Sequence, residues 1–132
     1  MPVSRQFLDF VIDQLGAVRA IRSHRMFGGV GFYAGEWFFA IASDDALYFK
    51  VSDETRPDYE REGMKPFSPF ADDARPMRGY YELPARVLED SEELAGWMER
   101  AIGVAASRAL RPRRRTASPP RKSKSSRRRP RT

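Results

Sequence analysis

The sequence predicts an α+β domain of two layers, a mostly antiparallel sheet with helices, carrying a basic C-terminal tail. Three observations predict it. Apolar residues recur at helical spacing near both ends of the first 110 residues, and between those stretches they alternate at strand spacing with short polar links. The charge then changes sign. Residues 1–110 hold 13 Lys and Arg against all 18 Asp and Glu, a formal −5, whereas residues 111–132 hold 11 Lys and Arg and no acid. The overall +6 therefore describes neither part: the domain, residues 1–110, is −5 and the tail, residues 111–132, is +11.

Ser4 to Leu15 reads as the first helix. Phe7, Val11 and Leu15 share one stripe with Phe10 beside them, and Arg5, Asp9 and Asp13 stay off it. Gly16 is suited to end that helix in a left-handed conformation. The period then becomes two. Trp37, Phe39 and Ile41 fall on one side of a strand, with Phe38, Ala40 and Ala42 on the other. Leu47, Phe49 and Val51 form a second alternating set, opposite Tyr48 and Lys50. With Ala34-Gly35-Glu36 and Ser43-Asp44-Asp45 as links, Met26–Tyr33, Trp37–Ala42 and Ala46–Val51 predict a three-stranded antiparallel meander. A short helix is expected within Asp53–Glu62, closed by Gly63, with Pro57 near its first turn. Phe67–Phe70 and Gly79–Leu83 are expected strands. The last helix starts at Asp90 as N-cap, with Glu93 placed for an Asp variant of the capping box. Leu94, Trp97, Met98, Ala101, Ile102 and Ala105 make its apolar stripe. The order is α-βββ-α-ββ-α, a five-stranded sheet with helices on a face.

Composition excludes several kinds of chemistry. There is no cysteine, hence no disulfide, thiolate metal site or thiol nucleophile. Arg5, Asp9 and Asp13 interrupt any signal-peptide-like core, and the longest uncharged run, Met26 to Gly35, is too short to span a bilayer. A cytoplasmic protein without membrane contact is expected. The tail has a single apolar residue after Leu110, Ala117, and cannot offset the entropy of ordering, so it is expected to be disordered.

Candidate sites are few. Gly28-Gly29-Val30-Gly31 invites a phosphate-loop reading, but a strand-like run follows and no Gly-Lys-Ser/Thr is present. Glycines that permit a bulge or a close backbone approach are the better account. His24 is the one histidine, its neighbours Ser23 and Arg25 supply no catalytic pair, and a strand-edge or loop position is expected. One His and no Cys leave carboxylates alone for metal, and Asp44-Asp45 and Asp72-Asp73 lack calcium-loop spacing. Neither catalytic residues, nor metal ligands, nor a cofactor are assigned. Tyr80, Tyr81, Phe67 and Phe70, near Lys65, Arg75 and Arg78, suggest a base-stacking platform; aromatics alternating along strands more often fill a core. The tail is the strongest candidate. Arg111, Arg113, Arg114, Arg115, Arg121, Lys122, Lys124, Arg127, Arg128, Arg129 and Arg131 suit non-specific contact with DNA or RNA phosphates. The bland alternative is a solubilising tail leaning on its own acidic domain.

Arg25-Met26-Phe27-Gly28-Gly29-Val30-Gly31-Phe32-Tyr33 leads into Trp37-Phe38-Phe39-Ala40. Leu47-Tyr48-Phe49-Lys50, Gly63-Met64-Lys65-Pro66-Phe67, Tyr80-Tyr81-Glu82-Leu83-Pro84 and Leu88-Glu89-Asp90 follow in order. This succession, over roughly residues 20–105, resembles the N-terminal domain family of TfoX (Sxy), the bacterial competence regulators. Its motif positions here are Met26, Phe27, Gly28, Gly29, Gly31, Lys50, Tyr80 and Tyr81, read as structural. The resemblance implies a compact α+β fold with an antiparallel five-stranded sheet, similar to secretion chaperones. It also implies a role in transcription, because TfoX-type regulators act with the cyclic-AMP receptor protein at competence promoters. Those regulators carry a second, helical domain where this chain has its basic tail, so the likeness is to relatives with the N-terminal domain alone. It brings no catalytic residues.

Three classes of function follow, in this order: a non-enzymatic module associated with transcription and a protein partner there, a protein-interaction module with a merely solubilising tail, and a small hydrolase.

Overall fold

A computed structural model of the chain describes residues 3–26, 29–68 and 77–110, without the side chains of Met77 and of 108–110. Its elements run α1 (Arg5–Val18), β1 (Arg22–Met26), β2 (Gly29–Ala34), β3 (Trp37–Ser43), β4 (Ala46–Lys50), α2 (Arg56–Arg61), β5 (Pro66–Phe67), β6 (Met77–Glu82), α3 (Ala85–Leu88) and α4 (Ser91–Leu110). The strands form one antiparallel sheet in the order β1-β2-β3-β4-β6-β5. The α+β class and the antiparallel sheet agree with the sequence; the strand count is six, not five. The extra strand comes from dividing the expected Met26–Tyr33 segment. Met26 closes β1 and pairs with Gly29, the first residue of β2. Arg-Ser-His-Arg carries no apolar alternation, so an exposed edge strand there leaves no hydrophobic signal.

The helices gather on one face of the sheet. Val11 and Leu15 of α1, Val87 and Leu88 of α3, and Leu94, Met98, Ala101, Ile102 and Ala105 of α4 pack in one buried cluster. From the sheet it takes Val30, Phe32, Phe39, Ala40, Ala42, Leu47, Phe49 and Tyr81. The α4 stripe is as the spacing required, with Trp97 partly buried beside it and edge-on to Tyr59 of α2 at 4.8 Å. Asp90 caps α4, its Oδ1 accepting from the backbone N–H of Glu92 and Glu93. The reciprocal half of the capping box is not made. Glu93 instead accepts from the Arg86 guanidinium at 2.8 Å, and Arg86 also pairs with Glu62.

Two expectations for α1 are corrected. Gly16 does not end the helix, which continues to Val18, and the Arg19 N–H still bonds the Leu15 carbonyl. Val18 and Ile21 pack against the core, and that burial carries the chain past the glycine. Phe10 is not part of the apolar stripe but 39% exposed; Leu8 and Ile12 take the flanking positions instead.

Turn chemistry behaves as read. Gly35 (φ +61°) opens the two-residue link between β2 and β3, and Gly63 (φ +78°) closes the segment after α2. Asp44 and Asp45 both have positive φ in the β3–β4 hairpin, a conformation that aspartate tolerates better than most residues. Asp45 also accepts from the Ser4 N–H at 2.8 Å, tying the start of α1 to the hairpin.

The alternation along β3 is corrected most sharply. Phe32 pairs with Ala40 but Tyr33 pairs with Phe38, leaving Phe39 as an extra residue. This β-bulge puts Phe39 and Ala40 on the same side. Trp37, Phe39, Ala40 and Ala42 thus join the helix-covered core, while Phe38 and Ile41 point the other way. The expected strand Phe67–Phe70 is seen as β5 at its first residues; Pro69 and Phe70 lie outside the described residues, as does the whole tail.

The glycines of β2 are close-approach positions, as expected. A Cβ on Gly29 would lie 2.4 Å from the Ala42 backbone oxygen, and one on Gly31 would lie 2.5 Å from Phe38 Cε1. Gly16, by contrast, has nothing within 4 Å of such a Cβ. Gly29→Ala is expected to destabilise the domain by about 1–3 kcal/mol through forced backbone displacement. Gly16→Ala should stabilise it by about 0.5–1 kcal/mol through helix propensity. Thermal melts of the two variants check both signs.

Candidate functional site

The second face of the sheet gathers most of the chemistry. Its buried cluster, Ile41, Phe67 and Tyr80 with Phe38 and Tyr48 packed beside it, contains no helix residue among the described residues. Rings run across it in sequence. Tyr33 lies 5.0 Å from Phe38, Phe38 lies 5.9 Å from Tyr80, and Tyr48 lies 4.9 Å from Phe67, all tilted. A cation stands at each end of the first row. The Arg22 guanidinium sits 4.7 Å over the Tyr33 ring and donates to the Gly35 carbonyl at 3.1 Å. The Lys50 ammonium sits 4.6 Å over Tyr80 and donates to its hydroxyl at 3.0 Å. The row is therefore Arg22, Tyr33, Phe38, Tyr80, Lys50, spanning β1, β2, β3, β6 and β4.

The family-motif positions divide between the two faces. Met26, Gly31, Lys50 and Tyr80 belong to the ring-lined face: Gly31 leaves the space that the Phe38 ring and the Met26 sulfur occupy. Gly29 serves the approach of β3. Tyr81 faces the helices, its hydroxyl donating to Glu60 at 3.2 Å and its ring 6.3 Å from Tyr59. Phe27 and Gly28 lie outside the described residues, as do Phe70 and Arg75. Of the four aromatics first considered for a platform, Phe67 and Tyr80 are on the ring-lined face but only 3% and 7% exposed, and Tyr81 is in the opposite core. The half-buried rings there are Tyr33, Phe38 and Tyr48, and Tyr33 with Arg22 are the residues sequence reasoning missed. Neither left a signal in the sequence, because β1 carries no apolar alternation and the bulge in β3 is a property of two strands paired.

His24 stands on the exposed edge strand β1, as expected, opposite Gly31. A glycine there has no side chain to act as a nucleophile or to orient the imidazole. Among the described residues no group of three or more His, Asp and Glu is placed to hold a metal ion. No helix among them is long and apolar enough to cross a membrane. An open cavity of about 390 Å³ lies between the link after β4 and the later turns of α4, lined by Ser52, Asp53, Glu54, Thr55, Arg100, Gly103, Val104 and Ser107. It contains none of the motif positions.

Charge differs between the layers. The strands carry Arg22, Arg25, Lys50 and Arg78 against a single acid, Glu82. The helices are nearly balanced, with Asp9, Asp13, Asp58, Glu60, Glu92, Glu93 and Glu99 against Arg5, Arg56, Arg61, Arg86, Arg100 and Arg108. Burial raises the Glu82 carboxyl above the ordinary carboxylate range, opposed by Lys65. Burial first, then Glu82 and Asp44, raises the Tyr48 phenol.

Residues 13–105 match the TfoX N-terminal domain. The chain belongs to that family, the match spanning nearly all of the domain described above. No curated protein matches the chain.

The Glu82 shift has a testable sign. The folded state holds the proton more tightly than the unfolded chain, so stability falls as pH rises from the ordinary Glu range, near 4, through the raised folded value. Glu82→Gln is expected to melt higher than the parent chain at pH 7, with the difference shrinking as pH falls toward 4. Thermal melts across that range check it.

Proposed function

We propose that this chain is a non-enzymatic regulatory module of the TfoX N-terminal domain family, working in transcription, that contacts nucleic acid through its basic tail. The observation that carries the reading is the charge division. Helix α4 is anchored to the sheet as far as Ala105, ends at Leu110, and leads into 22 residues with 11 positive charges and no acid. Such a segment takes up phosphates by counterion release and holds no aromatic residue with which to read bases. The formal −5 of residues 1–110 weakens that contact modestly at low salt and hardly at all at higher salt. Family membership supports the transcriptional setting, competence included, and a protein partner there. The exposed position of His24 opposite Gly31, which supplies no nucleophile, supports a binding role over catalysis.

Fluorescence anisotropy with a labelled DNA duplex across a salt series tests the tail. If about six of its charges meet phosphates, log K falls against log salt with a slope of about −5. Replacing Arg113, Arg114, Arg115, Arg127, Arg128 and Arg129 with Gln should flatten the slope and leave the melting temperature unchanged. An unchanged slope and affinity in that variant would show that the tail is not the contact.

A further inference from the structure

We propose that the ring-lined face of the sheet binds single-stranded nucleic acid, stacking unpaired bases on Tyr33 and Phe38 with Arg22 and Lys50 beside the backbone phosphates. The site is separate from the tail and shares with it only the class of ligand. Four observations support it.

The first is the absence of helical cover among the described residues. All the helix residues in the buried clusters lie on the opposite face, and the second cluster is made of strand residues among those described. The second is the row itself. Tyr33 and Phe38, on neighbouring strands and 5.0 Å apart, are two adjacent half-buried rings, and base–aromatic stacking is tolerant of sequence because each base has a π face. The third is that Arg22 shows a planar group fitting against the Tyr33 ring at 4.7 Å. A base takes the same place, and the guanidinium, on an exposed edge strand, turns to phosphate. The fourth is charge. The domain as a whole is acidic, yet Arg22, His24 and Lys50 lie on this side of the sheet, where Glu82, the cross-strand partner of Tyr48, is the one acid of the strands. Arg22 and His24 stand on the exposed edge strand β1, with Met26 following on the same side. That edge gives a polyanion its point of contact with the face.

Single strands fit better than a duplex. A sheet face has no element to enter a major groove, and stacking on protein rings needs bases that are not paired to each other. The tail lacks aromatic residues, so it does not supply this preference.

The test uses the full chain and its variant with the six tail arginines replaced by Gln. Each is titrated with a labelled mixed-sequence single strand and with the matching duplex, at a salt concentration where the tail contact has become weak. Both proteins are expected to prefer the single strand. In the full chain, Tyr33→Leu and Phe38→Leu should each weaken single-strand binding by about five- to hundred-fold, the range of base–aromatic stacking, and leave duplex binding unchanged. Tyr33→Phe keeps the ring and should bind as the parent does. Thermal melts confirm that each variant is folded; if Phe38→Leu melts early, the Tyr33→Leu and Tyr33→Phe pair decides alone. Equal affinity for single strand and duplex, or a preference that survives Tyr33→Leu, would overturn the proposal. A smaller salt slope in the tail variant with the preference retained would separate the two sites.

Discussion

The arrangement of both faces depends on one close contact, the Phe38 ring lying where Gly31 has no side chain. A Cβ at Gly31 would meet Phe38 Cε1 at 2.5 Å and the Met26 sulfur at 3.1 Å. Room for that ring lets β3 bulge at Phe39, and the bulge sends Phe39 and Ala40 together into the helix-covered core. Phe39 then packs 5.7 Å from Phe49, under α4. On the other side Phe38 bridges Tyr33 and Tyr80. A larger residue at Gly31 would displace Phe38, and both the core and the ring row would have to rearrange.

The two layers are also electrostatically unequal. Acids on the helices are solvated and partly paired, as in Arg19 with Glu99 and Arg86 with Glu62 and Glu93. Exposed pairs of this kind contribute little to stability, so their effect is mainly on the field around the domain. Arg22 and Lys50 lie against rings, where the guanidinium and the ammonium keep favourable contacts. A net charge of −5 over residues 1–110 therefore conceals strands that carry four Lys and Arg to one acid.

Family membership and geometry bear on different questions. The match over residues 13–105 accounts for the fold and for the glycine-rich β2 segment. The ring row and the edge strand lie within that match, with Lys50 and Tyr80 among its motif positions, and the basic tail lies outside it; together they carry the proposals about what the chain binds.

Much of the fold was legible in the sequence. The α4 stripe, the Asp90 cap, the positive-φ links at Gly35 and Gly63 and the close approach at Gly29 and Gly31 depend on residues near one another in the chain, and local periodicity records them. The charge division at residue 110 is a property of composition and needs no structure. Other features depend on partners distant in sequence. Strand β1 exists because β2 pairs with it, although its own residues show no apolar pattern. Helix α1 outlasts Gly16 because Val18 and Ile21 find the core. Glu93 leaves its capping role because Arg86 is within reach. The bulge exchanges the expected faces of β3 from Ala40 onward because register is a property of two strands together, and no single-strand alternation encodes it. Which residues are apolar was thus determined by the sequence alone; which face each one occupies, and so where a ligand meets rings and cations together, was decided by tertiary pairing.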